Sequence, residues 1–262
     1  MVFHFTNALV RAPGRSVVNG LSTQSGPRPT FEAVAAEHAQ YIKDLQVAGL
    51  TVDVLPPLED YPDSIFVEDP ALVFAGGVAI LLRPGAPSRQ GEVKEIAGAL
   101  RQRFGRIMAI EEGFADGGDM LLTPAGMFIG LSSRTDQKGA AELANLLQQI
   151  GIPSRIVNTP PGTLHLKSDC SLIADDHVLC TSSLAASNIF DGYRKLVVPE
   201  TERAAANALR LNDTILVGDR FPQTIQLLQQ QGYKVSAVPT QAIGRLDAGL
   251  SCMSLRWSTL SR

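Results

Sequence analysis

The stretch Asp63-Ser-Ile-Phe-Val-Glu-Asp-Pro-Ala-Leu-Val-Phe74, followed by the turn Ala75-Gly-Gly77 and by Val78-Ala-Ile-Leu-Leu82, decides how the chain folds. Two short apolar runs separated by a glycine turn predict a pair of strands. A break rich in Arg, Pro, Gly and Ser, Arg83 to Arg89, then leads into a helix from about Gln90 to Phe104. The same order of residue types returns about fifty residues on. There it reads Asp116-Gly-Gly-Asp-Met-Leu-Leu122, turn Thr123-Pro-Ala-Gly126, Met127-Phe-Ile-Gly-Leu131, Ser132-Ser-Arg-Thr135 and a helix Gln137 to Ile150. A third copy runs from His165 to Ile173, turns at Ala174-Asp-Asp-His177, continues as Val178-Leu-Cys180 and ends in a helical stretch near Ala185 to Tyr193. The fourth comprises Ala204 to Leu211, turn Asn212-Asp213, Thr214-Ile-Leu-Val217 and a helix Pro222 to Gln231 stopped by Gly232, a residue suited to the position after a helix end. A fifth is split between the termini, with Gly249 to Trp257 at one end and Asn7 to Val10 plus a helix Phe31 to Ala48 at the other. Strand, strand and helix recurring every 35 to 50 residues or so predict an α/β ring. Each unit of such a ring buries its apolar face against its neighbours, and the split copy staples the termini together.

Composition narrows the function. Lys plus Arg number 23 against 26 Asp plus Glu, a formal net charge of −3, and the basic residues are scattered. That excludes the clustered positive charge of a nucleic-acid binder. With 45% hydrophobic and 19% charged residues, the chain has the composition of a folded soluble protein. Its longest apolar stretch, Ala71 to Leu82, is twelve residues with two glycines, well short of the roughly 20 that span a bilayer. No membrane partner is expected. The start, Met1 to Asn7, carries neither the basic region nor the cleavage site of a secretory signal, so the cytoplasm is the expected location. Cys170, Cys180 and Cys252 form an odd set without C-x-x-C spacing, which argues against disulfides and zinc and leaves a role as thiol. Neither a metal nor a cofactor is expected.

Residues unsuited to burial gather just before the first strand of each copy: Asp63, Glu68 and Asp69; Asp116 and Asp119; His165 and Asp169; Asp247 and Cys252. A ring brings equivalent positions together, so one central site lined by carboxylates, a histidine and a cysteine is expected. Taken singly, Asp116-Gly-Gly-Asp119 reads as a turn, Cys252 as a small buried hydrophobe and His165 as a structural histidine. Their matching repeat positions favour chemistry. Converging carboxylates repel one another unless a cation arrives. A guanidinium, planar and with paired N–H donors, suits them, and Asp69 and Asp116 on opposite sides would clamp it flat. Its central carbon would then face a thiolate, with the histidine as general acid and base.

These residues resemble the dimethylarginine dimethylaminohydrolase family of the pentein, or guanidine-modifying, superfamily. The likeness runs nearly end to end through Arg11-Ala-Pro-Gly-Arg-Ser16, Asp63-Ser-Ile-Phe-Val-Glu-Asp-Pro70, Arg83-Pro-Gly-Ala-Pro-Ser-Arg89, Asp116-Gly-Gly-Asp119, Leu131-Ser-Ser-Arg-Thr135, Leu164-His-Leu-Lys-Ser168 and Asp247-Ala-Gly-Leu-Ser-Cys-Met-Ser-Leu-Arg256. It implies a five-bladed α/β propeller as one domain over residues 1–262. It further implies Cys252 as nucleophile, His165 as acid and base, and Asp116 as the carboxylate that holds the guanidinium and orients the histidine. By the same resemblance Asp69 and Glu68 grip the guanidinium, Asp63 lies toward the α-amino group, Arg89 and Arg134 bind the α-carboxylate, and Leu246 contributes to the substrate pocket. A lid is implied after Arg15-Ser16, with Val17 standing where relatives carry Leu. The implied reaction converts N-methylated arginine to citrulline and a methylamine. Action on arginine, agmatine or another guanidine is the nearest alternative, and a non-catalytic binder of cationic amino acids the alternative of another class. Cys252 and His165 speak against the binder, and the two arginines against agmatine, which lacks a carboxylate. A homodimer is left open.

Overall fold

The computed structural model describes residues 2–259. In chain order the elements are β1 (Asn7–Arg11), α1 (Phe31–Val47), β2 (Thr51–Leu55), β3 (Ala71–Phe74), β4 (Val78–Leu81), α2 (Glu92–Arg101), β5 (Arg106–Ala109), β6 (Met120–Thr123), β7 (Gly126–Leu131), α3 (Gln137–Gln149) and β8 (Ser154–Asn158). They continue as β9 (Cys170–Ala174), β10 (His177–Cys180), α4 (Ser182–Ala185), β11 (Arg194–Val197), β12 (Leu209–Leu211), β13 (Thr214–Gly218), α5 (Pro222–Gln230), β14 (Lys234–Val238) and β15 (Leu255–Trp257). The strands form five three-stranded sheets, β15-β1-β2, β3-β4-β5, β6-β7-β8, β9-β10-β11 and β12-β13-β14. In every sheet the middle strand is antiparallel to the first and parallel to the third. A parallel return needs a crossover, and the helix between second and third strands supplies it. Each blade is therefore strand, strand, helix, strand, one strand more than the repeat predicts.

Both ends of the chain meet in one blade: Leu9 of β1 pairs with Leu255 of β15, and Asn7 with Trp257. Five apolar clusters hold the ring, each joining neighbouring blades. Leu9 and Leu255, for instance, pack with Ala79, Ile96, Leu100 and Phe104 of the next blade. The first strand of each blade lies innermost, and all five line one central channel.

The third helix departs from expectation. Thr181 caps the N-terminus of α4, which already ends at Ala185, where the predicted stretch begins, and Ser187 Oγ then donates back to the Leu184 carbonyl at 2.7 Å. The chain continues in turns through Gly192, which adopts φ +91. The apolar residues that suggested a helix serve instead as a cluster, with Phe190 packed on Phe128 and Tyr193 at centroid separations of 5.3 and 5.9 Å. Likewise the first run of the fourth copy begins inside a 3₁₀ segment, Glu200–Ala206, and only Leu209–Leu211 is strand.

Candidate active site

The segments leading into the innermost strands converge at one end of the channel around a cavity of about 170 Å³. Asp63, Asp69, Arg89, Arg134, His165, Leu246 and Cys252 all stand on its wall. Asp116-Gly-Gly-Asp119 shows how closely these segments approach. A Cβ on Gly117 would lie 2.0 Å from the Glu68 carbonyl oxygen, and one on Gly118 would lie 2.7 Å from the His165 ring. Contact, rather than turn geometry, requires glycine at both positions. It lets the Gly117 N–H donate to the Asp69 carbonyl at 3.1 Å and the Gly118 N–H to Asp69 Oδ1 at 3.0 Å.

Asp116 is fully buried; its Oδ1 accepts from the Gly85 N–H at 2.8 Å, and its Oδ2 lies 2.9 Å from His165 Nε2. Burial alone would lower the His165 pKa, but the bond to Asp116 and the charges of Asp69 and Asp119 outweigh it and raise the value to about 9. The imidazole is thus charged near neutrality. Asp119 sits behind this pair, off the cavity wall. Ser132 Oγ and Thr135 Oγ1 each donate to its Oδ2 at 2.6 Å, and the Leu166 N–H donates to its Oδ1 at 2.8 Å, which pins the backbone beside His165.

Cys252 lies partly buried in a 3₁₀ turn, Ser251–Met253. Burial first, then the negative charges of Glu68 and Asp69, push its thiol up to about 12. Asn207, which the sequence reading passed over, has its side-chain N–H donor 3.9 Å from the sulfur and accepts from the Ser251 N–H at 3.1 Å. It lies in the segment leading into β12, a repeat position equivalent to those of Asp69, Asp116 and His165. The repeat was therefore the signal that could have found it.

The arginines differ. Arg134 lines the cavity with its side chain 21% exposed, and its closest carboxylate oxygen, on Asp116, is 4.0 Å away. Arg89 is buried and committed: its guanidinium holds Asp69, both oxygens of Glu92, and the carbonyls of Asp63 and Phe66. Asp69 is accordingly held below the ordinary carboxylate range, because Arg89 and His165 overcome the cost of its burial. Asp63 accepts from the Leu21 N–H at 2.9 Å, and burial raises its pKa.

Several expectations are corrected. Glu68 turns away from the cavity; its Oε1 lies 2.6 Å from Lys167 Nζ and 3.0 Å from an Arg256 nitrogen, and its Oε2 accepts from Ser251 Oγ at 2.9 Å. Two cations draw it to the far side of the chain segment that carries Asp69. Asp169 is bound by Arg203 and by Thr163 Oγ1 at 2.7 Å, away from the cavity. Val17 is fully buried in the apolar cluster around Tyr41 and Leu45, so it covers nothing. Leu21, Ser22 and Thr23 line the cavity instead. That loop is clasped by Asp247, in left-handed backbone at φ 54, which accepts from Thr23 and from Gln24 Nε2 at 2.8 Å. Asp69 and Asp116 are neighbours rather than opposing jaws: with His165 they offer three ligand atoms within 4.8 Å of one another. Their protein partners are N–H donors, as a guanidinium would be.

A family model described as "N,N dimethylarginine dimethylhydrolase, eukaryotic" matches residues 24–247. The chain is 34% identical over 256 residues to the N(G),N(G)-dimethylarginine dimethylaminohydrolase of Pseudomonas aeruginosa, covering 97% of this chain and all of that protein. The Streptomyces coelicolor protein of the same name is 31% identical, with 95% and 96% covered. Among solved structures, a cysteine-to-serine variant of the P. aeruginosa enzyme complexed with citrulline superposes with a TM-score of 0.93 at 32% identity, over 97% of this chain and all of that one. The N-terminal domain of ArgZ, an arginine dihydrolase from cyanobacteria, shares the fold with a TM-score of 0.84 at 17% identity, over 97% of this chain and 98% of that one.

Proposed function

The chain belongs to the dimethylarginine dimethylaminohydrolase family, and from that premise we propose that it hydrolyses N-methylated arginine to citrulline and methylamine or dimethylamine through a covalent thiouronium on Cys252. The observation that carries this reading is a cysteine thiol on one cavity wall with a charged, Asp116-bound histidine, two buried carboxylates and an arginine whose nearest carboxylate oxygen among the described residues, on Asp116, is 4.0 Å away.

The resting thiol is neutral. A guanidinium received by Asp69 and Asp116 brings positive charge beside the sulfur and favours the thiolate, whose proton leaves to solvent. The thiolate attacks the central carbon. His165, already protonated, gives its proton to the departing methylated nitrogen, and the C–N bond breaks. The neutral imidazole then takes a proton from water as that water attacks the thiouronium. The C–S bond breaks, the second proton of the water returns to sulfur, and citrulline is released. In this reading Arg134 meets the α-carboxylate and Asp63 the α-amino group, while Leu246 and the Leu21–Thr23 loop close the sides. Arg89 would act on the α-carboxylate through the single N–H that its internal bonds leave over; its larger part is to hold Asp69.

The test is a panel. The protein is incubated separately with asymmetric dimethylarginine, monomethylarginine, arginine and agmatine, and the ureido product and the released amine are measured. Turnover of the two methylated arginines with release of methylamines is expected. Faster release of ammonia from arginine would reassign the substrate, and absence of product from all four would leave a binder.

A further inference from the structure

On the other side of Glu68 the channel opens again as a second cavity, of about 160 Å³. Its walls are mainly apolar, with Leu72, Leu209 and Leu255 among them. Its charged residues are Glu68, Lys167, Arg210 and Arg256, three cations to one carboxylate. Arg256 donates from one terminal nitrogen to the Ser251 and Ser254 carbonyls and Ser254 Oγ, and from the other to Glu68. Arg210 binds the Ile173 and Asn212 carbonyls and lies over the Phe3 ring at 4.5 Å, with no carboxylate partner among the described residues. Lys167 has three N–H donors and, among the described residues, one partner, Glu68. Its side chain stays 12% exposed although the residue faces the channel interior. Ser171, on the same wall and only 7% exposed, has a hydroxyl shielded from solvent with no hydrogen-bond partner among the described residues.

We propose that this rear cavity is a binding site for a small monocarboxylate with an apolar body, distinct from the active site and separated from it by Glu68. The carboxylate pairs with the free donors of Lys167, the apolar body covers the leucines, and the Ser171 hydroxyl gains an acceptor. Three cations on the wall favour an anion. Apolar lining favours a hydrocarbon body over a bare inorganic ion, which would leave that surface uncovered. A cavity of this size accommodates a ring the size of benzene, so benzoate is the matching probe. An occupant is linked to the active site only through Glu68, which donates its N–H to the Cys252 carbonyl at 3.1 Å and shares Lys167 with the ligand.

Calorimetric titration compares benzoate with benzyl alcohol, which lacks the charge, and with acetate, which lacks the ring. One saturable site is expected for benzoate, with either comparison molecule at least about tenfold weaker, as loss of a charge-assisted pair or of the apolar contact implies. Lys167→Met should weaken benzoate about tenfold while Lys167→Arg retains it. Arg210→Gln, which removes a cation not bonded to Glu68, supplies a second charge deletion that should also weaken it should the Lys167 variant fail to fold. Crystals grown with 4-bromobenzoate should place the anomalous bromine peak beside Leu72 and Leu209. A peak beside Arg134 instead, no saturable binding, equal affinity for all three probes, or benzoate affinity unchanged in the folded Lys167→Met and Arg210→Gln variants would overturn the proposal.

Discussion

Cys252 and His165 are both kept protonated, the thiol by burial and then by the carboxylates beside it, the imidazole by its carboxylate partners, and the consequence differs for each. For the thiol, held near 12 by burial and by Glu68 and Asp69, reactivity must wait for a cation. Alkylation by iodoacetamide at pH 7 should be slow in the free protein, because the thiolate is the reactive form. Asn207 offers the sulfur a donor at 3.9 Å, a contact that strengthens once the sulfur carries charge. Asn207→Ala should lower kcat about tenfold with little change in KM, the signature of an interaction made mainly during reaction. Unchanged kcat in steady-state kinetics would remove Asn207 from the chemistry. The histidine shows itself in stability. Its folded pKa of about 9 lies above the ordinary histidine value of 6.5, so the folded state binds the proton more tightly. That contribution is fully present below about pH 6.5 and is lost as pH rises through about 9, at most ~3 kcal/mol. Thermal melts between these limits should show stability falling with pH, and His165→Gln should flatten the slope; an equal slope in the variant would deny the coupling.

At the scale of elements, the loop over the cavity and the turn before the nucleophile form one unit. Leu21 is 39% exposed and on the cavity wall, Val17 is fully buried, and Asp247 ties the loop down. The two apolar residues should therefore behave oppositely. Val17→Ala removes about two buried carbon atoms and should cost about 1.5 kcal/mol of stability with KM nearly unchanged. Leu21→Ala should raise KM at constant stability, and Asp247→Ala should speed proteolysis within Leu21 to Arg28. A KM effect at Val17 and none at Leu21 would return the lid to the position first expected. The register of that loop was illegible because Val17 and Leu21 are both apolar residues near glycines, and only packing tells them apart. The first two strands of a blade were legible, being buried runs either side of a tight turn. The third were not, for the opposite reason: β2, β5, β8, β11 and β14 lie outermost, half-exposed and mixed in polarity. Cys252, His165 and Asp116 could be read from order and repeat position, whereas the turning of Glu68 toward Lys167 and Arg256 depends on side chains nearly 100 and 190 residues away.

For the whole molecule, closure is the question that the split blade poses. Among the described residues three pairs between β1 and β15 join the chain ends, with Thr6 bonded to Trp257 and Thr259 beside them, and the packing behind them is substantial. Trp257, the single tryptophan, meets Phe104 of the next blade edge-on at 5.2 Å. Blades that bury their faces only against one another cannot lose one member without exposing two neighbours, so we propose that the chain unfolds as one cooperative domain. Tryptophan fluorescence, which reports the seam, and far-ultraviolet circular dichroism, which reports all blades, should then give coincident denaturant transitions. Trp257→Ala removes a buried aromatic and should lower stability by about 3–5 kcal/mol. Its dichroism transition should move to lower denaturant while staying single. If fluorescence of the unmodified protein changes well before dichroism, or the variant unfolds in two steps, the seam opens separately and the ring is not a single unit.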